Sequence, residues 1–407
     1  MPSPQILLSA GETSGDMYAA RLAAALQARF DARIFGMGGD QMRAAGVDVI
    51  TDYSEVSVLG ITEILSHLPQ LVRAMRKLVG TARERRPELA ILTDFPGFHL
   101  RLARKLKPLR VRNVYYICPQ FWAWRPWRVR IVRRRFALAL CIFPFEEKFF
   151  GDAGVPVKFI GHPLVGNVAT KLTKEQFLAK HGLSTSQPLV TILPGSRRSE
   201  LERHLSVLRQ ACVNIRREMP VQFVVAAASG NAAVLSGSRL SGLPVKIIEG
   251  ETYDALAHAD ASIVSSGTAT VEAALLDAPM VVVYRVSPLT ALLAKPLVRT
   301  KQFGMVNLIA GREVVPELIQ EDFTPEKVSE TVLRLLGDPA VVAAMRRDLS
   351  EVRRRLGPPG AVERAADAVK DLLDKDLVEK AADRPAEVLA TLPDPLLSYR
   401  GSLTATP

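Results

Sequence analysis

The chain has 407 residues, 48% hydrophobic and 23% charged, with a formal net charge of +11; this suits two globular domains with large cores. Its three cysteines, Cys118, Cys141 and Cys212, show no CxxC spacing, which argues against a disulfide framework and a structural zinc site. No apolar run reaches the roughly 18–20 residues that span a bilayer, and the first residues lack the basic-then-apolar pattern of a leader.

Strands and helices alternate along the chain, which predicts an α/β fold with largely parallel sheets. Residues 5–9 read as a strand and 16–29 as an alanine- and leucine-rich helix. A second strand at 32–35 precedes the glycine loop 36–39. Next comes the stretch from Val58 to Val72, with Leu59, Ile61, Ile64, Leu65, Leu68 and Leu71 at helical spacing, then Arg73, Arg76 and Lys77. Such a stripe suits a core face in general; its density and basic end favour an interfacial helix. Further strands are expected at 89–93, ending at Asp94, then at 113–117, 138–143 and 157–160. A polar crossing at 166–186 leads to a second series at 189–193, 221–226, 245–248, 261–264 and 280–284. Helical spacing at 325–336, 340–355 and 360–375 closes the pattern, and the chain beyond 380 is expected to be poorly ordered.

Ligand-type loops follow several of these strands, where open α/β sheets bind their ligands. Ser265-Ser266-Gly267-Thr268 stands between a strand and a helix. A glycine there lets the backbone approach a ligand closely, and the new helix directs N–H groups and a favourable dipole at an anion. Glu272, one turn on, is placed to meet a ribose. The corner suits a nucleotide diphosphate; an ordinary hydroxyl-capped βα corner fits the same residues. Pro194-Gly195-Ser196-Arg197 offers a second phosphate-suited turn, with Arg197 as a clamp. Gly11-Glu12-Thr13-Ser14-Gly15-Asp16 has GxxxG rather than GxGxxG, which argues against a hydride-transferring dinucleotide enzyme. Asp374-Lys375-Asp376 lies in a charged helix end and is rejected as a metal site.

Between Asp94 and Glu146 there is no acidic residue, while arginines and lysines abound and Trp122, Trp124 and Trp127 all lie there. Basic chains beside amphipathic rings fit an anionic membrane surface or a nucleic acid, and a solvated basic helix is the plainer alternative. No nucleic-acid-binding motif accompanies the charge, so no nucleic acid is expected.

The motifs AGETSGD (10–16), GMGGDQM (36–42), LGITEIL (59–65), FWAWR (121–125), FPFEEKFF (143–150), FIGHPL (159–164), LPGSRRSE (193–200), SSGTATVE (265–272), PMVVVYR (279–285) and NLIAGREVVPELIQ (307–320) occur in order. Together they resemble the lipid-A-disaccharide synthase family of GT-B glycosyltransferases over roughly residues 5–370. The resemblance implies two Rossmann-like domains facing a cleft: an acceptor- and membrane-facing domain at 1–168 and a UDP-sugar domain at 185–340. Helices at 341–378 would pack back on the first domain, leaving a tail at 379–407.

It further implies inverting transfer from UDP-2,3-diacylglucosamine to 2,3-diacylglucosamine 1-phosphate, giving lipid A disaccharide 1-phosphate and UDP. Asp94 matches the proposed base. As residues alone, a strand-end Asp is more often a cap or turn residue than a base; only the resemblance reverses that order. Arg197 and the Ser266, Gly267 and Thr268 backbone would face the diphosphate and Glu272 the ribose. Asn307, Glu317 and Gln320 fall in the nucleotide-side segment without individual roles, and Glu12, Ser14, Gly15 and Asp16 would line the first-domain side. His162 fits a hydrogen-bonded hinge. Leu59, Ile61, Ile64, Leu65, Leu68, Trp122 and Trp124 would face the membrane, placing the protein on the cytoplasmic face of the inner membrane. The resemblance allows a homodimer with exchanged C-terminal helices; no metal or cofactor is required.

Where many members read Asp-x-Pro-Asp-Phe-Asn, this chain has Asp94, Gly97 and His99. Gln120 and Gly166 also depart from the pattern, as do Cys118 and Val306. Most of these lie on the acceptor side. Two other readings remain: a UDP-N-acetylglucosamine 2-epimerase-like enzyme, and a membrane-peripheral UDP-sugar-binding protein without catalysis.

Overall fold

The computed structural model describes residues 3–56, 68–123, 125–228, 230–237, 243–288, 291 and 302–382, with side chains as far as Lys375. The first half comprises β1 (Gln5–Ala10), α1 (Thr13–Phe30), β2 (Arg33–Gly38), α2 (Asp40–Ala44), β3 (Asp48–Asp52), α3 (Leu68–Arg85), β4 (Leu89–Thr93), α4 (Pro96–Leu106), β5 (Arg112–Tyr116), α5 (Val129–Arg135), β6 (Leu138–Cys141), α6 (Pro144–Asp152) and β7 (Val157–Phe159). These strands form a parallel seven-stranded sheet in the order β3-β2-β1-β4-β5-β6-β7.

After α7 (Lys174–His181) come β8 (Leu189–Leu193), α8 (Arg198–Glu218), β9 (Gln222–Ala227), α9 (Ala232–Ser236), β10 (Val245–Glu249), α10 (Thr252–Ala257), β11 (Ala261–Ser265), α11 (Thr268–Leu275) and β12 (Met280–Tyr284). Then follow α12 (Met305–Ala310) and β13 (Glu317–Ile319). The second sheet is also parallel and runs β10-β9-β8-β11-β12-β13. This is the two-sheet α/β architecture that the alternation predicts.

The central strands are buried on both faces, which is why they read as apolar runs rather than alternating ones: β4, β8 and β11 are buried throughout. In each sheet the strand order reverses beside the opening strand, between β1 and β4 and between β8 and β11. Such a reversal opens a crevice at the carboxyl ends of the strands. The register aligns Ala10 with Thr93, so Gly11 and Asp94 emerge together. Likewise Leu193 pairs with Val264, bringing the 194–197 turn beside Ser265 and Ser266.

Three helices complete the chain: α13 (Pro325–Gly337), α14 (Pro339–Arg355) and α15 (Ala361–Ala382). The expectation that 341–378 packs wholly on the first domain is corrected by α14, which lies on α11 and α12 of the second. Only α15 returns, lying along α1 with Arg29 Nε 2.8 Å from Asp367. Arg364 fastens this return by donating to the Ile160 carbonyl at 2.8 Å. Gly161 there has φ +79 and a Cβ would stand 2.6 Å from the Arg364 guanidinium, so glycine suits the crossing on both counts. Among the described residues no helix is long and apolar enough to cross a membrane.

Candidate active site

The first wall is built where β1 and β4 end. Asp94 and Phe95 have φ of 46° and 45°, two consecutive non-glycine residues in the left-handed region. Each such residue costs about 1–2 kcal/mol, so the surrounding contacts must over-determine the turn. The Asp94 carbonyl accepts from His99 Nδ1 at 2.8 Å and from the Tyr115 hydroxyl at 3.0 Å. Phe95 lies so close to Gly11 that a Cβ there would stand 2.2 Å from the ring. The half-buried Asp94 carboxyl is held well above its ordinary pKa, first by desolvation and then by the neighbouring Glu12 carboxylate.

A second acid stands within electrostatic reach of it. Glu146 is fully buried and receives the Trp122 indole N–H at 3.1 Å and the Phe143 N–H at 3.3 Å. Burial raises its pKa to about 8 against those two donors.

The second wall is built where β8 and β11 end. Gly267 starts α11 with φ 145° and open space at its Cβ position. By helix geometry the Thr268 and Ala269 N–H groups have no carbonyl one turn earlier. Glu272 is largely buried; burial raises its pKa, and the Tyr253 hydroxyl donates to it at 3.3 Å.

The 194–200 turn is folded from within. Glu200 Oε2 accepts the Ser196 and Arg197 N–H groups at 3.0 and 3.2 Å. Gly195, φ +123, is required because a Cβ would stand 2.7 Å from that carboxylate. His204 joins the turn to β12: Nδ1 donates to the Pro194 carbonyl at 2.7 Å and Nε2 accepts the Arg285 N–H at 3.1 Å.

The two walls meet. Gln120, in the loop after β5, donates to Met305 Sδ at 3.4 Å across the gap. Met305 opens α12, and the carbonyl of Phe303, two residues before it, accepts from the Ser266 hydroxyl at 2.8 Å. A family model described as lipid-A-disaccharide synthetase matches residues 6–371. The chain belongs to this family. A lipid-A-disaccharide synthase of Solibacter usitatus is 47% identical over 91% of this chain and 98% of the relative. One from Myxococcus xanthus is 43% identical over the same shares.

Solved structures agree at the level of fold. The S. aureus MnaA–UDP complex superposes with TM-score 0.65 at 13% identity, covering 91% of this chain and 97% of that one. The calicheamicin glycosyltransferase CalG4 does so with TM-score 0.57 at 20% identity, over 92% and 99%. The chain is therefore a GT-B glycosyltransferase of lipid A biosynthesis, and family membership implies a UDP-sugar donor and a sugar acceptor. This favours the synthase over the epimerase-like and non-catalytic readings.

The expected site residues divide sharply. Glu12, Asp94, Arg197, Gly267, Thr268 and Glu272 sit at the four strand ends. Ser14 is exposed beside them and donates to Glu12 at 3.1 Å, and Gly15 is buried in the first turn of α1. Asp16 is corrected to a loop former: it is 2% exposed and accepts from the Gly39, Gln41 and Met42 N–H groups at 2.6, 3.0 and 3.3 Å. The backbone donors of Ser196 and Arg197 are likewise committed to Glu200. Ser266 spends its N–H on Val283 and its hydroxyl on Phe303, so of the three expected backbone donors Gly267 and Thr268 remain open among the described residues, with Ala269 beside them.

Asn307, Glu317 and Gln320, expected on the nucleotide side, spend their side chains bracing the second wall from within. Asn307 bonds the backbone of Val314 and Val315 and donates to Glu317 at 2.7 Å. Glu317 caps the start of α12 through the Phe303 and Gly304 N–H groups at 2.8 and 2.9 Å. Gln320 accepts the Val286 N–H at 2.9 Å, and its carbonyl receives the Arg285 guanidinium. His162 is buried, which lowers its pKa to about 3 and keeps the ring neutral, and its Nδ1 accepts from the Leu164 N–H at 3.2 Å. Sequence reasoning missed Glu200, His204, Tyr115 and Glu146; in SRRSE, Glu200 three residues after Arg197 was the available capping signal.

Of the residues expected to face a membrane, Leu59, Ile61, Ile64, Leu65 and Trp124 lie outside the described residues. Leu68 is 52% exposed on α3, with Val72 exposed one turn on, while Ala74, Leu78 and Ala82 bury the opposite face. Trp122 is corrected: it packs edge-on against Phe145 and bonds Glu146, so Trp127 is the exposed indole among those described.

Proposed function

We propose that this cleft condenses UDP-2,3-diacylglucosamine with 2,3-diacylglucosamine 1-phosphate by direct displacement with inversion, releasing UDP. The observation that carries the reading is the placement of Asp94 at the first sheet's reversal and of the open Gly267–Thr268 corner at the second's, with Gln120 and Met305 joining the walls. Asp94 takes the acceptor hydroxyl proton as that oxygen attacks the anomeric carbon. The Thr268 and Ala269 amides, the α11 dipole and Arg197 receive the charge that develops on the departing diphosphate. Glu272 holds the ribose, and Glu12 with Ser14 borders the acceptor.

Both sugars carry acyl chains, so the enzyme works at the cytoplasmic face of the inner membrane. The exposed Leu68 and Val72 beside Arg73, Arg76 and Lys77 form part of the docking face. A homodimer exchanging α15 is compatible with the long reach of that helix to α1. Purified protein given both acylated substrates releases UDP in step with disaccharide. In Asp94→Asn, turnover falls at least about 10³-fold while UDP affinity stays within a few-fold. Retained turnover in that variant would place the base elsewhere.

A further inference from the structure

The turn that presents Asp94 is held by a buried relay whose parts come from three different elements. Ser9, at the end of β1, and His99, in the first turns of α4, are both 0% exposed. Ser9 Oγ lies 2.8 Å from His99 Nε2, and His99 Nδ1 lies 2.8 Å from the Asp94 carbonyl oxygen. A carbonyl only accepts, so Nδ1 carries the proton and Nε2 accepts from the Ser9 hydroxyl. Burial lowers the ring's pKa to about 4, which keeps this neutral tautomer. From β5 the Tyr115 hydroxyl gives the same carbonyl a second hydrogen bond, while the Asp94 N–H donates to the Tyr116 carbonyl at 3.2 Å.

The peptide group on each side of Asp94 is thereby fixed, and the left-handed φ follows. With its carbonyl drawn into the core, Asp94 is left with its carboxyl at the strand end beside Glu12. We propose that His99, with Tyr115, is a positioning residue that sets the direction of the Asp94 carboxylate by clamping the Asp94 carbonyl. The inference rests on Asp94 as the base and deepens that reading. It also accounts for an imidazole at position 99: a side chain with a donor at its near atom suffices, and the far nitrogen is tied off by Ser9.

The test compares His99→Leu, His99→Asn and Tyr115→Phe with Asp94→Asn as full-length protein, in mixed micelles holding both acylated substrates. UDP release gives kcat and KM, calorimetry gives UDP affinity, and melting reports the fold. His99→Leu is expected to lower kcat by about 30- to 100-fold, the scale of a misdirected reacting group, with KM for the donor within about threefold. His99→Asn keeps an N–H at the Nδ1 position and recovers at least about a third of kcat. Tyr115→Phe loses one hydroxyl and costs about three- to tenfold in kcat.

Equal rates for the leucine and asparagine variants would overturn the clamp, as would an unaltered kcat in Tyr115→Phe. The phenylalanine variant decides the matter should His99→Leu fail to fold. If Asp94→Asn is dead while the His99 and Tyr115 variants keep full kcat, positioning fails and the base stands. If Asp94→Asn turns over, the base reading falls, and the clamp's role with it.

Discussion

Replacing Glu146 with glutamine should change how the first domain's stability depends on pH. The Glu146 carboxyl is fully buried, and its pKa is raised from 4.5 to about 8, chiefly by desolvation. Below 4.5 both folded and unfolded chains hold the proton, so the group's contribution is complete. Between 4.5 and 8 only the fold holds it, and stability falls as pH rises, by about 1.4 kcal/mol per unit. From pH 6 to 8 the parent therefore loses about 2 kcal/mol through this one group.

Glutamine does not titrate, so that slope disappears. Trp122 and Phe143 donate to different oxygens of Glu146, so glutamine turns its NH2 toward one of these donors, a pH-independent loss of about 1–2 kcal/mol. The variant is weaker at pH 6 and draws level with the parent near pH 8. All three tryptophans lie at positions 122, 124 and 127, so indole emission during urea unfolding follows this domain. Parallel pH dependence in parent and variant would refute the reasoning, because it would mean that Glu146 is already ionised throughout.

Two further outcomes follow from the same physics. A base held above the ordinary carboxylate range loses kcat/KM as pH falls through its raised pKa, so activity is still climbing on the neutral side of the profile. Glu12→Gln removes the like charge and should move that acid limb down by on the order of one pH unit; an unmoved limb would separate Glu12 from Asp94. On α3, Leu68→Glu with Val72→Glu should release the protein from anionic vesicles while melting is unchanged, since both side chains are exposed. Unaltered sedimentation with vesicles would remove α3 from the docking face.

Much of the fold is written locally. The runs at β1, β4, β8 and β11 are apolar because both faces are covered, and a glycine or an aspartate stands within two residues of the end of each. What could not be read is how each polar side chain is spent. Asp16 and Glu272 look equivalent in sequence, an acid just after a glycine loop, yet the first closes on the backbone of residues 39–42 while the second borders the cleft. Asn307 and Glu317, ten residues apart, satisfy each other, which no periodicity announces. The stripe through Leu68, Leu71 and Val72 reads as one face, but Leu71 packs inward while its neighbours face out. These outcomes depend on partners distant in the chain, and spacing carries no information about them.

The division of the site between two domains also has a physical reason. A desolvated Asp94 beside Glu12 keeps its proton affinity high, which suits a base. The same acidic neighbourhood would repel a departing diphosphate and raise the barrier. On the proposed reading the leaving group is met instead by the open end of α11 and by Arg197, on a separate sheet with its own reversal point. The two demands are opposite in sign, so a single strand-end crevice would satisfy one at the expense of the other. Facing two crevices across one gap satisfies both, provided that Asp94 is held in direction. The clamp from Ser9 through His99 and Tyr115 is internal to the first domain, so it needs nothing from the second wall.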